Sequence, residues 1–403
     1  MSDKELTPEQ IERITKEIDD HDERADRYYK AALRLESRDG INACLELAKS
    51  MPGIRCSVKD FDAHPLWLNT QTCTMDLETG ETWAHRPADM LTKVTNAGYD
   101  PTSTAPVWDA FLEQVVPDVA TQRFLQRSVG YCLSDLMSEQ CMWFLYGLGR
   151  NGKTTFINAI RRMLGEYAMT TRASTLMVKP HGDDRRGDVA VLKGARFVSA
   201  TEAEDGQHLA ESLLKEITGE DPITARLLYA EFFTFEPTFK IWLAANHKPI
   251  IRGTDLAIWR RIHMVPFQET IKPEDVDREL PAKLDTERDG ILNWALDGWR
   301  DYRQHGLQVP PMVVRATAAY RAEMDPLTDF LEESCVVEDG ASCTAGDLYQ
   351  TYRAWAEGAG VRFPMKQKTL GTQLEERGFT AHKGTGGIRQ WRGLRPITPP
   401  APF

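Results

Sequence analysis

The sequence predicts an α/β protein: a mostly parallel sheet, preceded by a helical and α+β part and followed by a small helix–helix–hairpin module. Three observations carry this expectation. Between about 140 and 270, short apolar runs alternate with amphipathic stretches, the pattern of buried strands joined by covering helices. The first run, Cys141 to Tyr146, leads directly into the glycine-rich segment Gly147-Leu148-Gly149-Arg150-Asn151-Gly152-Lys153-Thr154. Near the C-terminus, helical patterns over 345–357 and 367–377 precede a turn at Thr385-Gly386-Gly387, an order that suits a winged helix.

Five segments follow from the pattern. Residues 1–38 are polar, with the acidic run Asp19, Asp20, Asp22, Glu23 and Asp26, and read as an acidic, solvated helical arm. Residues 39–138 form a second N-terminal domain, with short strands at 65–69 and 73–77 and a turn at 78–81. Trp108, Phe111, Leu112, Val115 and Val116 lie at helical spacing, so 107–136 is helical. Residues 139–308 hold strands at 141–146, 197–201, 241–245 and 262–267, then a helical extension striped by Ile291, Leu292, Trp294, Ala295 and Trp299. Residues 325–395 form the last module, and 396–403, with Pro399, Pro400 and Pro402, a disordered tail.

Composition narrows the function classes. A chain of 403 residues with 41% apolar and 27% charged residues is ordinary for a globular protein of two or three domains. Its apolar runs are far shorter than the ~20 residues a bilayer requires, and no secretory leader opens it, so a cytoplasmic location without a membrane partner is expected. The net charge of −11 excludes a simple polycation that coats nucleic acid, while leaving room for a local basic surface. Seven cysteines without a C-x-x-C pair read as reduced thiols rather than a zinc site.

Gly147 to Thr154 fits G-x-x-x-x-G-K-[ST] at every fixed position, between a strand and a helix carrying Phe156, Ile157, Ile160, Met163 and Leu164. Backbone N–H groups of Gly147, Gly149, Arg150, Asn151, Gly152, Lys153, Thr154 and Thr155 can cradle phosphates at the helix's positive end. Lys153 supplies charge to the β- and γ-phosphates and Thr154 a hydroxyl to Mg²⁺, so ATP and Mg²⁺ are the expected cofactors. Glu202 and Glu204 follow the 197–201 run, where a carboxylate can hold the metal or its water; the alternative is a solvated helix-start pair. Glu202 is the expected metal partner beside Thr154. Asn246 ends the 241–245 run and can orient an attacking water, or simply turn the chain. Arg260 and Arg261 precede the next strand, where an arginine can reach a neighbouring subunit's γ-phosphate or form a surface ion pair.

Several separated segments carry a resemblance: Asp76 to Gly80, Phe124 to Arg127, Gly130-Tyr131, Gly149 to Lys153, Glu202-Ala203-Glu204, Lys215 to Asp221, Phe239 to Asn246, and Ile258 to Arg261. Over about 65–268 the chain resembles the phage and plasmid primase-helicases, whose ATPase core is of superfamily 3 and to which the poxvirus primase-helicase is related. The resemblance implies an AAA+-like P-loop ATPase core in a homo-hexameric ring that translocates on single-stranded or forked DNA, encoded by a phage, plasmid or other mobile element in a bacterial host. It gives Lys153 and Thr154 the Walker A role, Glu202 and Glu204 the Walker B role, Asn246 the sensor 1 role, and Arg261 (before Arg260) that of the finger. A DNA-gripping hairpin is implied around Lys215, Arg226 and Tyr229. The stretch before residue 65 is too short for a primase module, so a separate primase is the expected partner.

From Phe379 to Arg395 there are four basic residues and no acid, which makes Lys383, Arg389 and Arg392 candidate phosphate contacts, against a wing that only packs. The function expected from sequence is an ATP-driven replicative DNA helicase. The alternative is an initiator or loader that uses ATP as an assembly switch; a small-molecule kinase is disfavoured by Arg260-Arg261 and the terminal module.

Overall fold

The computed structural model describes residues 7–178, 185–201, 206–227, 230–251, 256–361, 364–384 and 387–397. The chain divides into two units, 1–63 and 64–403. In the first, α1 (Pro8–Glu36) is opened by a capping box in which Thr7 and Gln10 satisfy each other's backbone N–H groups. Ser37 closes α1 and caps α2 (Arg38–Ala48), its Oγ accepting from Gly40 N at 3.1 Å. Neither helix has a buried side chain.

The second unit opens with an antiparallel sheet of β1 (Trp67–Asn69), β2 (Thr74–Asp76) and β3 (Thr82–Trp83), followed by α3 (Pro106–Val115) and α4 (Val119–Tyr131). The central sheet comprises β4 (Met142–Tyr146), β5 (Ala168–Arg172), β6 (Phe197–Thr201), β9 (Lys240–Ala245) and β10 (Ile262–Pro266). Between these strands lie α5 (Lys153–Leu164), α6 (Arg185–Ala190), α7 (Glu211–Ile217), the hairpin β7 (Ile223–Ala225) and β8 (Phe233–Phe235), and α8 (Leu256–Trp259). The spatial order is β10-β4-β9-β6-β5, and every pairing is parallel. This parallel five-stranded sheet, with β9 inserted between β4 and β6, fits a P-loop-type helicase core.

Period-two alternation gives the sheet two cores. Trp143, Leu145, Trp242, Ala244 and Val265 face α3, α4, α5 and the helical extension α9 (Leu280–Thr286) and α10 (Arg288–His305). Met142, Phe144, Ile241, Leu243 and Met264 face α6, α7 and α11 (Pro311–Glu323). Trp143 and Trp242 stack at 4.8 Å and 10°, and their ring N–H groups donate to Ser128 Oγ at 2.8 Å and Cys132 Sγ at 3.3 Å. Leu68, Met75, Trp108, Phe124 and Leu125 belong to the same core as Trp143 and Trp299. The expected separate domain at 39–138 is therefore corrected: from residue 64 on it shares one core with the parallel-sheet region, because α4 and α10 cover the same sheet face.

The final module runs α12 (Pro326–Ser334), β11 (Cys335–Thr344), α13 (Ala345–Gly358), α14 (Gln367–Glu376), β12 (Thr380–Lys383), β13 (Arg389–Pro396), with sheet order β11-β13-β12. Its own core gathers Leu327, Phe330, Leu348, Tyr352, Leu374 and Trp391. All seven cysteines are free thiols. Among the described residues no helix is long and apolar enough to cross a membrane.

Two buried cations fasten the start of the central strands. Arg196 donates to Asp135 and to the carbonyls of Leu133 and Trp67. Lys240 donates to the carbonyls of Ser134 and Thr238, with its amine over the Tyr131 ring. Burial lowers the Lys240 amine from 10.5 to about 8. Between those values the unfolded chain holds the extra proton, so stability rises with pH through this window. Removing the amine in Lys240→Met should abolish about 2 kcal/mol of that rise between pH 7.5 and 9.5. Urea midpoints of both proteins at pH 7.5 and 9.5 measure it; an equal rise in both would contradict it.

Candidate nucleotide site

β4 ends at Tyr146, and the loop 147–152 carries it into α5. Left-handed backbone at Gly149 (φ 108°), Arg150 (φ 50°) and Gly152 (φ 80°) coils the loop. Gly147 is fixed by space: a Cβ there would lie 2.0 Å from Asn151 Nδ2 and 2.3 Å from Phe267 O. Buried Asn151 donates to Phe267 O at 3.0 Å, and Ile271 N donates to Arg150 O at 2.8 Å. The segment after β10 therefore braces the loop.

Lys153 is 5% exposed, and its Nζ donates to Gly147 O at 2.7 Å, Asn151 Oδ1 at 2.8 Å and Asn246 Oδ1 at 3.0 Å. Burial lowers its pKa. The registers Tyr146↔Ala245 and Thr201↔Ala244 bring the ends of β4, β9 and β6 to one edge. There a cavity of about 300 Å³ is lined by Gly149 to Thr155, Thr201, Ala244, Ala245 and Asn246. Thr154 is exposed at its mouth and Thr155 half-buried. The first helical turn, the curled loop and a desolvated amine suit a phosphate chain, and the Thr154 hydroxyl is a fitting oxygen ligand for Mg²⁺.

Glu202 and Glu204 lie outside the described residues, as does Tyr229. Arg260 and Arg261 sit at the opposite edge, since Ile262 pairs with Met142 at the start of β4. Five strand residues separate that edge from the loop, roughly 17 Å. Arg261, the preferred finger from sequence, is buried and donates to Ala257 O at 2.7 Å. Arg260 is exposed, with Gln140 Oε1 at 3.5 Å. Of the two, Arg260 is the one whose head faces outward.

The hairpin β7–β8 pairs Ile223↔Phe235 to Ala225↔Phe233. Beyond it the Arg226 guanidinium lies 5.0 Å over the exposed Phe232 ring. Lys215 is half-buried on α7. In the last module Lys383, Arg389 and Arg392 are all exposed, and Arg389 also pairs at the surface with Glu375 at 2.6 Å and lies over Trp391.

Sequence reasoning missed a second cavity of about 130 Å³ beside the loop. Thr154, Thr155, Asn158 and Ala159 form one wall; Pro281, Leu284 and Asp285 of α9 form the other. No local motif marks it, because its walls lie more than a hundred residues apart.

Three family models match in order: "D5 N terminal like" over 2–117, a family of unknown function (DUF5906) over 145–261, and "Poxvirus D5 protein-like" over 322–390. The chain thus carries D5-type, primase-helicase-like segments at both ends. A protein of Acanthamoeba polyphaga mimivirus named as a helicase is 28% identical over 339 residues, 78% of this chain and 35% of the relative. One of Frog virus 3, also named as a helicase, is 30% identical over 265 residues, 61% of this chain and 27% of the relative. The chain thus spans about a third of the length of these relatives. The apo structure of the NrS-1 C-terminal region is 12% identical, covers 83% of each chain and has a TM-score of 0.49.

Gly147→Ala should destabilise the protein by about 1–3 kcal/mol, since the new methyl meets a backbone carbonyl and a buried amide. An unchanged thermal midpoint would show that the loop opens freely.

Proposed function

We propose that this chain is an ATP-driven, helicase-type motor of DNA replication, from a DNA virus or mobile element, that works as a ring on single-stranded or forked DNA. The observation that carries the reading is the Lys153–Asn246 contact across the phosphate-sized cavity, where the glycine loop meets the end of β9. Lys153 exchanges its three oxygen partners for phosphate oxygens, and Asn246, released from the amine, is free to orient a water. Thr154 and, from sequence, Glu202 and Glu204 are the groups that would hold Mg²⁺, which offsets phosphate charge. The helicase and primase names of the viral relatives support the same class of function.

The distance between sheet edges keeps Arg260 from its own subunit's loop, which supports the reading of a finger that serves a neighbour in a closed ring, most simply a hexamer. The α–β–α–α–β–β order of the last module supports reading it as a winged helix, with Lys383, Arg389 and Arg392 as exposed cations for phosphate contact. Arg226 and Phe232 at the β7–β8 hairpin form a charged and stacking tip suited to a nucleic acid strand.

Lys153→Ala should lower ATP hydrolysis by about 10²-fold or more with the fold intact. Mixing it with Arg260→Ala should restore part of the activity, since each protein supplies what the other lacks. Wild-type turnover by Lys153→Ala contradicts the site, and no recovery in subunit-exchanging mixtures contradicts the trans role. Unwinding of a forked duplex separates a motor from an ATP-switched loader.

The second cavity, which shares the lining residues Thr154 and Thr155 with the first, is the seat for the nucleoside in this reading. Leu284→Trp should fill it, weakening ATP at least about tenfold while leaving inorganic tripolyphosphate binding unchanged. Equal loss for both ligands would place the defect in the loop instead.

A further inference from the structure

We infer that α1 forms an antiparallel coiled coil with a second copy of this chain. The helix is 29 residues long and buries none of them. Helices standing alone in water are marginal, and an amphipathic one gains its stability by covering an apolar face. The face here is specific. Ile11, Ile14, Ile18, His21, Ala25, Tyr28, Ala32 and Leu35 follow one another at alternate steps of three and four. That is a heptad seam, with the 3.5-residue period that supercoiled pairs require. Its large members are open: Ile11 is 53%, Ile18 55%, Tyr28 71% and Leu35 59% exposed.

Charge and side-chain size identify the occupant. Over 9–23 the helix carries seven acidic and two basic residues; over 24–36 it carries four basic and two acidic ones. A parallel pair would lay acidic half on acidic half. An antiparallel pair lays each acidic half on the other copy's basic half. Size agrees. Antiparallel pairing about the helix midpoint sets Ile14 against Ala32, His21 against Ala25, Ile18 against Tyr28 and Ile11 against Leu35 of the second copy, so bulk is spread along the seam. Parallel pairing would face alanine with alanine at 25 and at 32, leaving gaps, and crowd tyrosine on tyrosine at 28. The contact is isologous and closes on two copies.

The test uses the full chain, free of nucleotide and DNA, with exposed Cys44 and Cys56 replaced by serine. Mixed Ile11→Cys and Leu35→Cys proteins, mildly oxidised, should give a cross-linked pair joining the two sites, well above what Ile11→Cys gives alone. In light scattering, Ile18→Asp should halve the mass from twice the 45.6 kDa of one chain to the single value. Dominant Ile11→Cys self-linkage would overturn the antiparallel arrangement. A wild-type chain that is monomeric, or a mass unmoved by Ile18→Asp, would overturn the pairing and leave the seam to another protein or segment.

Discussion

The in-register parallel pairing of β4 with β9 is the constraint on which the rest depends. All six residues of β9 are buried, so the strand has no solvent face with which to absorb a slip. A shift by one residue would move Trp242 off Trp143 and into the opposite core, away from its stacking partner and from Cys132 Sγ. The stacked indoles, each held by a ring N–H bond into the α4 region, fix that register from one side. Because the pairing is parallel and flush, the chain leaves β4, β9 and β6 at the same edge, and this alone sets the glycine loop beside Asn246 and Thr201.

The two buried lysines show how one chemistry serves two ends of that sheet. Lys240 sits at the start of β9, closed in by Ser134, Thr238 and Tyr131. Lys153 sits at the far edge with three oxygen partners of similar kind, but an open cavity lies beside it. Both amines are desolvated, and both have lowered pKa values for that reason. Only Lys153 has somewhere to go. Its carbonyl and amide partners are neutral, so an arriving phosphate offers stronger, charge-assisted bonds to an amine already paid for in desolvation.

What the sequence made legible was whatever is local. Buried parallel strands appear as continuous apolar runs, and 141–146, 197–201, 241–245 and 262–267 lie within a residue of β4, β6, β9 and β10. β5 escaped because, as an edge strand, Ala168–Arg172 carries exposed polar residues and no apolar run. The glycine loop was legible for the same local reason. The α9 cavity wall was not, since Leu284 and Ala159 meet only through tertiary packing. Nor was the difference between Arg260 and Arg261: adjacent residues point opposite ways, and only the packed neighbourhood decides which head is buried. The shared core of residues 64–138 with α10 was hidden likewise, in contacts such as Glu287 accepting from Val107 N and Trp108 N at 3.0 Å.

Two proposed interfaces then differ in symmetry, and this constrains assembly. Arg260 at one edge of the sheet and the loop at the other make a heterologous contact, in which unlike surfaces meet and a rotation repeats until it closes. The α1 seam is self-complementary and joins like to like, so it is satisfied by two copies. The two proposed contacts therefore place different demands on the sequence: the first needs two unlike surfaces that match each other, the second one seam that matches itself, which is why α1 carries its acidic half and its basic half on a single helix.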